Sequence, residues 1–145
     1  MIIEAAGPAA ASRAARCATS AVVLGALAFR LHSFLDGGAI IAPDTWAYQT
    51  LARNVSQNRS YSLSDRPPFA PSIRRAPGYP VFLCLFLNSG DPERAVAAAQ
   101  LFLDTLVVIG VFLIARELVS APAAVLAAAL YAFHPEAVWY ARTIV

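Results

Sequence analysis

RAVAAAQLFLDTLVVIGVFLIA, residues 94 to 115, is the stretch of this chain that decides its class of fold. Only Gln100 and Asp104 interrupt the apolar run, which begins after Arg94 and ends before Arg116. A bilayer core about 30 Å thick is crossed by about 20 apolar residues of helix, so the run is long enough to span one. Arginines at both ends are suitable interfacial anchors. The stretch therefore predicts a transmembrane helix.

Composition extends this prediction to the whole chain. The 145 residues are 59% hydrophobic and 14% charged, with a mean hydropathy of +0.59, which lies outside the range of a soluble domain. All 11 basic residues are arginine and the net charge is only +2, so no nucleic acid partner is expected. Arginine without lysine, together with abundant alanine, is typical of a GC-rich bacterial genome. We predict an all-α integral membrane protein, multi-pass in the bacterial inner (plasma) membrane, with membrane lipids as partners.

Three further apolar segments complete the predicted single membrane domain. Residues 17 to 35 predict the first span, and residues 118 to 139 predict the third. Residues 78 to 88 are too few to cross alone and predict a short re-entrant or interfacial helix. Arg30 and His32 lie near the end of the first span, and both are expected to reach the headgroups if that end lies at the interface.

The N-terminus and the distribution of charge leave two questions open. Arg13 and Arg16 before an apolar run also fit a signal peptide, although the run continues to Leu35, which favours a retained anchor. The polar insert, residues 36 to 76, carries five arginines against two in the N-terminal tail. Counting alone would place the insert in the cytoplasm. If the insert lies outside, its arginines need another role.

Within the polar insert, a helix over residues 44 to 56 is predicted to lie along the membrane surface. Asp44 and Tyr48 are four residues apart and share one side of this helix. The remainder, rich in Ser, Pro and Arg, predicts a surface loop. One flank of the helix is expected to be apolar and the other polar; the apolar flank contains Trp46, Tyr48, Leu51, Ala52 and Val55, and the polar flank Gln49, Arg53 and Asn54.

The order of these features resembles the polytopic C-fold glycosyltransferases that use polyprenyl-phosphate sugars. These include protein O-mannosyltransferases and the aminoarabinose transferases of lipid A. The resemblance covers nearly the whole chain. The residues that carry it are Asp44-x-x-x-Tyr48-x-x-Leu51-Ala52-Arg53-Asn54, Tyr61-Ser62, Arg75-Ala76-Pro77-Gly78-Tyr79-Pro80, the Gln100-bearing span ending Ala115-Arg116-Glu117-Leu118, and His134-Pro135 to Tyr140.

The resemblance implies a first extracytoplasmic loop whose acid faces a lipid-phosphate-linked sugar at the outer leaflet. Asp44 matches that acid and is the candidate catalytic residue. Many members follow it with a second acid, whereas Thr45 stands here. No cofactor is implied, no metal ligand is predicted, and a divalent metal requirement stays open. Because the chain ends where the next acidic motif would come, we expect an N-terminal fragment, inactive alone, whose partners are the remaining helices or another membrane protein.

The reaction itself asks for the same residue types. A carboxylate within hydrogen-bond reach can accept the proton that an attacking hydroxyl or amine loses. A leaving phosphate is stabilised by the planar, bidentate guanidinium of arginine. The candidate substrate-binding residues are Arg75, Arg74, Tyr48 and Tyr79.

Each candidate also has an ordinary structural interpretation. Asp44 directly before a helix is a good N-cap. Arg74 and Arg75 are suited to binding anionic headgroups, and the tyrosines to an interfacial belt. Pro77-Gly78-Tyr79-Pro80 is also a turn that starts a helix.

The alternative function is a small non-enzymatic scaffold or assembly subunit. In that case Asp104 would pair with a helix of a partner. In either function, Asp104 and Gln100 share one face of their span and are expected to hydrogen-bond to a neighbouring helix, with a proton relay as the other role of Asp104. Reading the genome beyond codon 145 would separate the two functions, since further apolar spans support the transferase.

Overall fold

A computed structural model describes the backbone of residues 8 to 144 and the side chains of residues 17 to 144, and this part of the chain is mostly helical. The side chains of Arg13 and Arg16 lie outside it. The elements, in order, are α1 (Pro8–Gly37), β1 (Ile40–Ile41), α2 (Thr45–Asn58), α3 (Gly78–Cys84), α4 (Pro92–Leu118), α5 (Ala121–Ala132), α6 (Pro135–Arg142) and β2 (Thr143–Ile144).

The chain forms two compact units. Among the described residues, the span unit comprises residues 8 to 36 and 100 to 141, and the loop unit comprises residues 37 to 99 and 142 to 144. Two helical segments are long and apolar enough to cross a membrane, namely Cys17–Gly37 of α1 and Pro92–Leu118. The predicted helical fold is confirmed, and these two segments coincide with two of the predicted spans.

The third predicted span, residues 118 to 139, is not one straight helix. It breaks between α5 and α6, whose axes are bent by 50°. Pro135 explains the break, because proline lacks a backbone N–H and disfavours helical geometry in the residue before it, His134. The two helices can form one broken span or a re-entrant loop.

The core of the span unit surrounds a buried charge. Small and branched residues pack closely there, including Ala26, Val108, Ala128 and Ala132. Arg30 is fully buried among them, so the prediction that it reaches the headgroups is wrong. Its Nε donates a hydrogen bond of 2.6 Å to Asp104 Oδ2, and its Nη1 donates one of 2.6 Å to the carbonyl of Ala132.

The second oxygen of Asp104 is also occupied. Tyr131 donates its hydroxyl hydrogen to Asp104 Oδ1 at 2.6 Å. A buried charge is tolerated when it is paired in this way, so the ion pair accounts for the burial of Arg30. His32, in contrast, is exposed and lies 3.3 Å from Asp36 Oδ2 on the next turn of α1.

The loop unit adds a strand pair to the predicted helices. β1 and β2 run parallel, with Ile40 opposite Thr143 and Ile41 opposite Ile144. The pair continues into α2, because Ala42 N donates to the carbonyl of Ile144 at 3.1 Å and Thr45 Oγ1 donates to the same oxygen. Gly38 lies in the connection between α1 and β1 and has a φ of +63°, a conformation that glycine adopts at little energetic cost.

α2 and α3 pack against each other in the core of the loop unit, which includes Ala52, Leu83, Val96 and Ile144. The two flanks of α2 differ from the prediction. Trp46, expected on the apolar flank, is 62% exposed, whereas Asn54, expected on the polar flank, is buried. α3 ends at Cys84, four residues earlier than predicted, and continues as turns.

Candidate functional site

Asp44 occupies the N-cap position of α2 without capping the helix through its side chain. Its carbonyl accepts hydrogen bonds from the backbone N–H groups of Ala47 and Tyr48, at 3.0 and 3.4 Å. Its carboxylate makes no capping bond. Instead, Oδ1 lies 2.9 Å from Nη2 of Arg75. The carboxylate is thus directed toward the guanidinium and away from the helix end.

Aromatic rings support this ion pair. The guanidinium of Arg75 lies over the ring of Tyr48, 5.1 Å from its centroid. Tyr48 meets Tyr79 edge to face at 5.3 Å, and Tyr79 stacks on Phe82 at 6.0 Å. Four of the predicted site residues therefore lie together. We call Asp44, Tyr48, Arg75 and Tyr79 the acid–guanidinium cluster.

The loop after α2 is held so that Arg75 returns to the start of that helix. Asn54 Nδ2 donates to the carbonyls of Ser62 and Ser64, at 2.7 and 3.0 Å. Ser72 N donates to the carbonyl of Tyr61 at 2.8 Å. The hydroxyl of Tyr61 then donates to the carbonyl of Arg75 at 2.9 Å. These bonds fix both ends of the returning segment.

The surroundings of Arg75 and of the neighbouring Tyr61 raise the pKa of both groups. The bond to Asp44, followed by that to Tyr48, raises the pKa of Arg75 above its ordinary value. Burial raises the pKa of Tyr61. Tyr48 raises the same pKa further, whereas the positive charge of Arg75 lowers it. Arg75 therefore remains a cation and Tyr61 a neutral hydrogen-bond donor throughout the physiological pH range.

Arg74 is not part of the cluster. It is exposed and lines a separate cavity of about 360 Å³ together with Leu63, Ser64 and Ile73. Adjacent residues of an irregular segment need not point the same way, so the basic pair in the sequence separates into one engaged and one outlying arginine.

Sequence reasoning missed two structural residues, Asn54 and Arg30. Asn54 follows Arg53 in a helical pattern, and its polarity predicts a position on the polar flank of the helix. Its bond partner is the backbone carbonyl of Ser62, eight residues later, and no sequence pattern indicates such a contact.

Among the described residues, no group of three or more His, Cys, Asp or Glu side chains is arranged to hold a metal ion. A cavity of about 570 Å³ in the loop unit is lined by none of the four cluster residues. In comparisons with known proteins, no family model, no curated protein and no solved structure matches this chain.

Proposed function

We propose that this chain is part of a membrane glycosyltransferase, which moves a sugar from a polyprenyl-phosphate donor to a lipid, glycan or protein acceptor at the outer face of the bacterial inner membrane. One observation carries the proposal: the carboxylate of Asp44, at a helix start, makes no cap and lies 2.9 Å from the guanidinium of Arg75. An acid beside a phosphate-binding group is what glycosyl transfer from a phosphate requires.

The cluster supplies a role for each partner in the reaction. The acceptor oxygen attacks the anomeric carbon, and the bond between that carbon and the phosphate oxygen breaks. Asp44 takes the proton of the attacking hydroxyl. The phosphate leaves with the electron pair of the broken bond, and Arg75 stabilises its negative charge.

Both charged groups are accessible enough to meet a substrate. The side chain of Asp44 is 51% exposed and that of Arg75 is 30% exposed. A guanidinium has five N–H donors, so its bond to Asp44 leaves donors for a phosphate. Tyr48 holds the guanidinium from one face through its ring.

The scaffold alternative draws less support from the described contacts. It relied on Asp104 to bind a helix of a partner. Arg30 and Tyr131 of the same chain already occupy its two oxygens.

The test compares two identical substitutions in the polar insert. In the full reading frame that contains this chain, Asp44→Asn should lower transfer from a labelled polyprenyl-phosphate sugar by roughly 10²- to 10⁴-fold, because the base is lost. Asp65→Asn changes an exposed carboxylate outside the cluster and should transfer like the wild type. Membrane insertion should be the same in both. Undiminished transfer by Asp44→Asn removes Asp44 from the mechanism.

A further inference from the structure

The loop unit contains a cavity of about 570 Å³ on the side of α2 that faces away from Asp44. The residues that form it have no role in the proposed function. Ligand pockets in proteins commonly measure about 300–1,000 Å³, so the cavity is large enough for a small organic molecule. It lies between the polar flank of α2 and the segment that joins α3 to α4. Its polar lining includes Gln49, Arg53, Gln57, Asn88, Asp91 and Glu93.

The polar lining suits a ligand with many hydroxyl groups. Each hydroxyl both donates and accepts a hydrogen bond. Gln49, Gln57 and Asn88 carry amides, which offer both functions, while the carboxylates accept and Arg53 donates. One arginine against two carboxylates gives this lining a formal charge of +1 − 2 = −1, which disfavours a phosphate or another anion.

The floor of the cavity is apolar. Leu83, Val96 and Ile144 belong to the buried core, and the half-buried Leu87 packs against them at the cavity wall. The C–H face of a sugar ring can lie on such a surface while its hydroxyls meet the polar lining. A wholly apolar ligand would instead remove the polar groups from water without replacing their hydrogen bonds.

Part of the polar lining is held in place before any ligand binds. Gln49 Nε2 lies 3.4 Å from Glu93 Oε1 and joins α2 to the start of α4. Asp91 Oδ1 accepts the backbone N–H of Arg94 at 3.0 Å and fixes the entry to that helix. A preorganised lining costs less entropy on binding.

We propose that this cavity binds a neutral sugar unit, at a site separate from the acid–guanidinium cluster. The proposal stands on the cavity alone and does not depend on glycosyl transfer. A sugar would bind in this cavity whether or not Asp44 acts as a base.

The test measures sugar binding to the purified chain in a sugar-free detergent such as lauryldimethylamine oxide. Methyl glycosides of neutral hexoses and pentoses serve as probes, with glucose 6-phosphate as the anionic comparison, and saturation-transfer difference NMR reports binding. We expect saturable binding of at least one neutral glycoside and weaker binding of glucose 6-phosphate than of glucose.

Two variants locate the site. Gly90 lines the cavity, and a Cβ added there meets nothing within 4 Å, so Gly90→Trp can introduce a bulky side chain at the cavity wall. It should weaken binding by about tenfold or more. Gln57→Leu removes exposed hydrogen-bonding groups and should weaken it roughly two- to tenfold. Arg66→Trp, an exposed position outside the cavity, is the matched control and should bind like the wild type.

Asp44→Asn should also bind the glycoside normally, which separates this proposal from the transferase. Circular dichroism checks that each variant is folded, and Gln57→Leu decides the result if Gly90→Trp does not fold. The proposal is overturned if no neutral glycoside binds saturably, if the variants that fold bind as tightly as the control, or if glucose 6-phosphate binds more tightly than glucose.

Discussion

At the scale of single residues, the two adjacent arginines of the polar insert have different surroundings. Arg75 contacts the carboxylate of Asp44 and the ring of Tyr48, whereas Arg74 faces the solvent beside another cavity. A guanidinium fixed by two neighbours loses less entropy when it binds a phosphate than one that is free to rotate. The proposed donor site therefore depends on Arg75 much more than on Arg74.

Binding of farnesyl phosphate, a short polyprenyl phosphate, tests this difference. Arg75→Ala should weaken the binding of farnesyl phosphate to the purified chain by about tenfold. This factor corresponds to the loss of one charge-assisted hydrogen bond that solvent weakens by screening. Arg75→Lys should fall between the alanine variant and the wild type, because lysine keeps the charge without the planar fork.

Arg66→Ala, an exposed arginine in the same loop, is the matched control for lost positive charge. Fluorescence competition or native mass spectrometry gives the affinities. Equal losses in Arg75→Ala and Arg66→Ala would mean that the lipid responds to general charge and not to the cluster.

Much of the cluster could be chosen from the sequence, since Asp44, Tyr48, Arg75 and Tyr79 were selected by residue type and order. Asp44 and Tyr48 are one helical turn apart, and that spacing is local. The contact between Asp44 and Arg75 could not be derived in the same way. It depends on the path of the loop, which Asn54 fixes by donating to two backbone carbonyls. Every residue has a backbone carbonyl, so the sequence does not indicate which ones Asn54 bonds.

At the scale of secondary-structure elements, the ion pair between α1 and α4 organises the span unit. Arg30 and Asp104 are 74 residues apart in the sequence and 2.6 Å apart in space. Composition could predict the spans, because the length of an apolar run is a local property. The pairing of two charged residues across helices, and that of the two-residue strands β1 and β2, depends on tertiary packing.

Breaking the ion pair on one side should destabilise the span unit strongly. Asp104→Leu leaves the buried guanidinium of Arg30 without its counterion, at a cost of roughly 3–5 kcal/mol in the free energy of unfolding. Arg30→Leu/Asp104→Leu removes both charges and should recover most of that loss.

Tyr131→Phe removes one hydrogen bond to Asp104 and should cost only about 0.6 kcal/mol. Unfolding of the purified variants by SDS in mixed micelles gives all the differences. A double variant as unstable as Asp104→Leu would show that lost packing, and not the unpaired charge, is responsible.

At the scale of the whole molecule, the proposed function requires the polar insert to lie on the outer side of the membrane. The excess of arginines in the polar insert favours the cytoplasmic side. Binding of a lipid phosphate by Arg75 would instead explain an arginine in an insert on the outer side. Ser62 is a poor position for a labelling probe because it is fully buried and its carbonyl accepts a bond from Asn54. Asp65 is exposed and lies in the same loop.

The most direct measurement is therefore cysteine accessibility in a variant that lacks Cys17 and Cys84. Asp65→Cys reports the side of the insert, and Ser120→Cys, an exposed position beyond the other end of α4, reports the opposite side. A membrane-impermeant maleimide is added to intact cells and, separately, to inside-out vesicles. We predict that Asp65→Cys is labelled in cells and Ser120→Cys only in inside-out vesicles. Labelling of Asp65→Cys only in inside-out vesicles would contradict a site at the outer face.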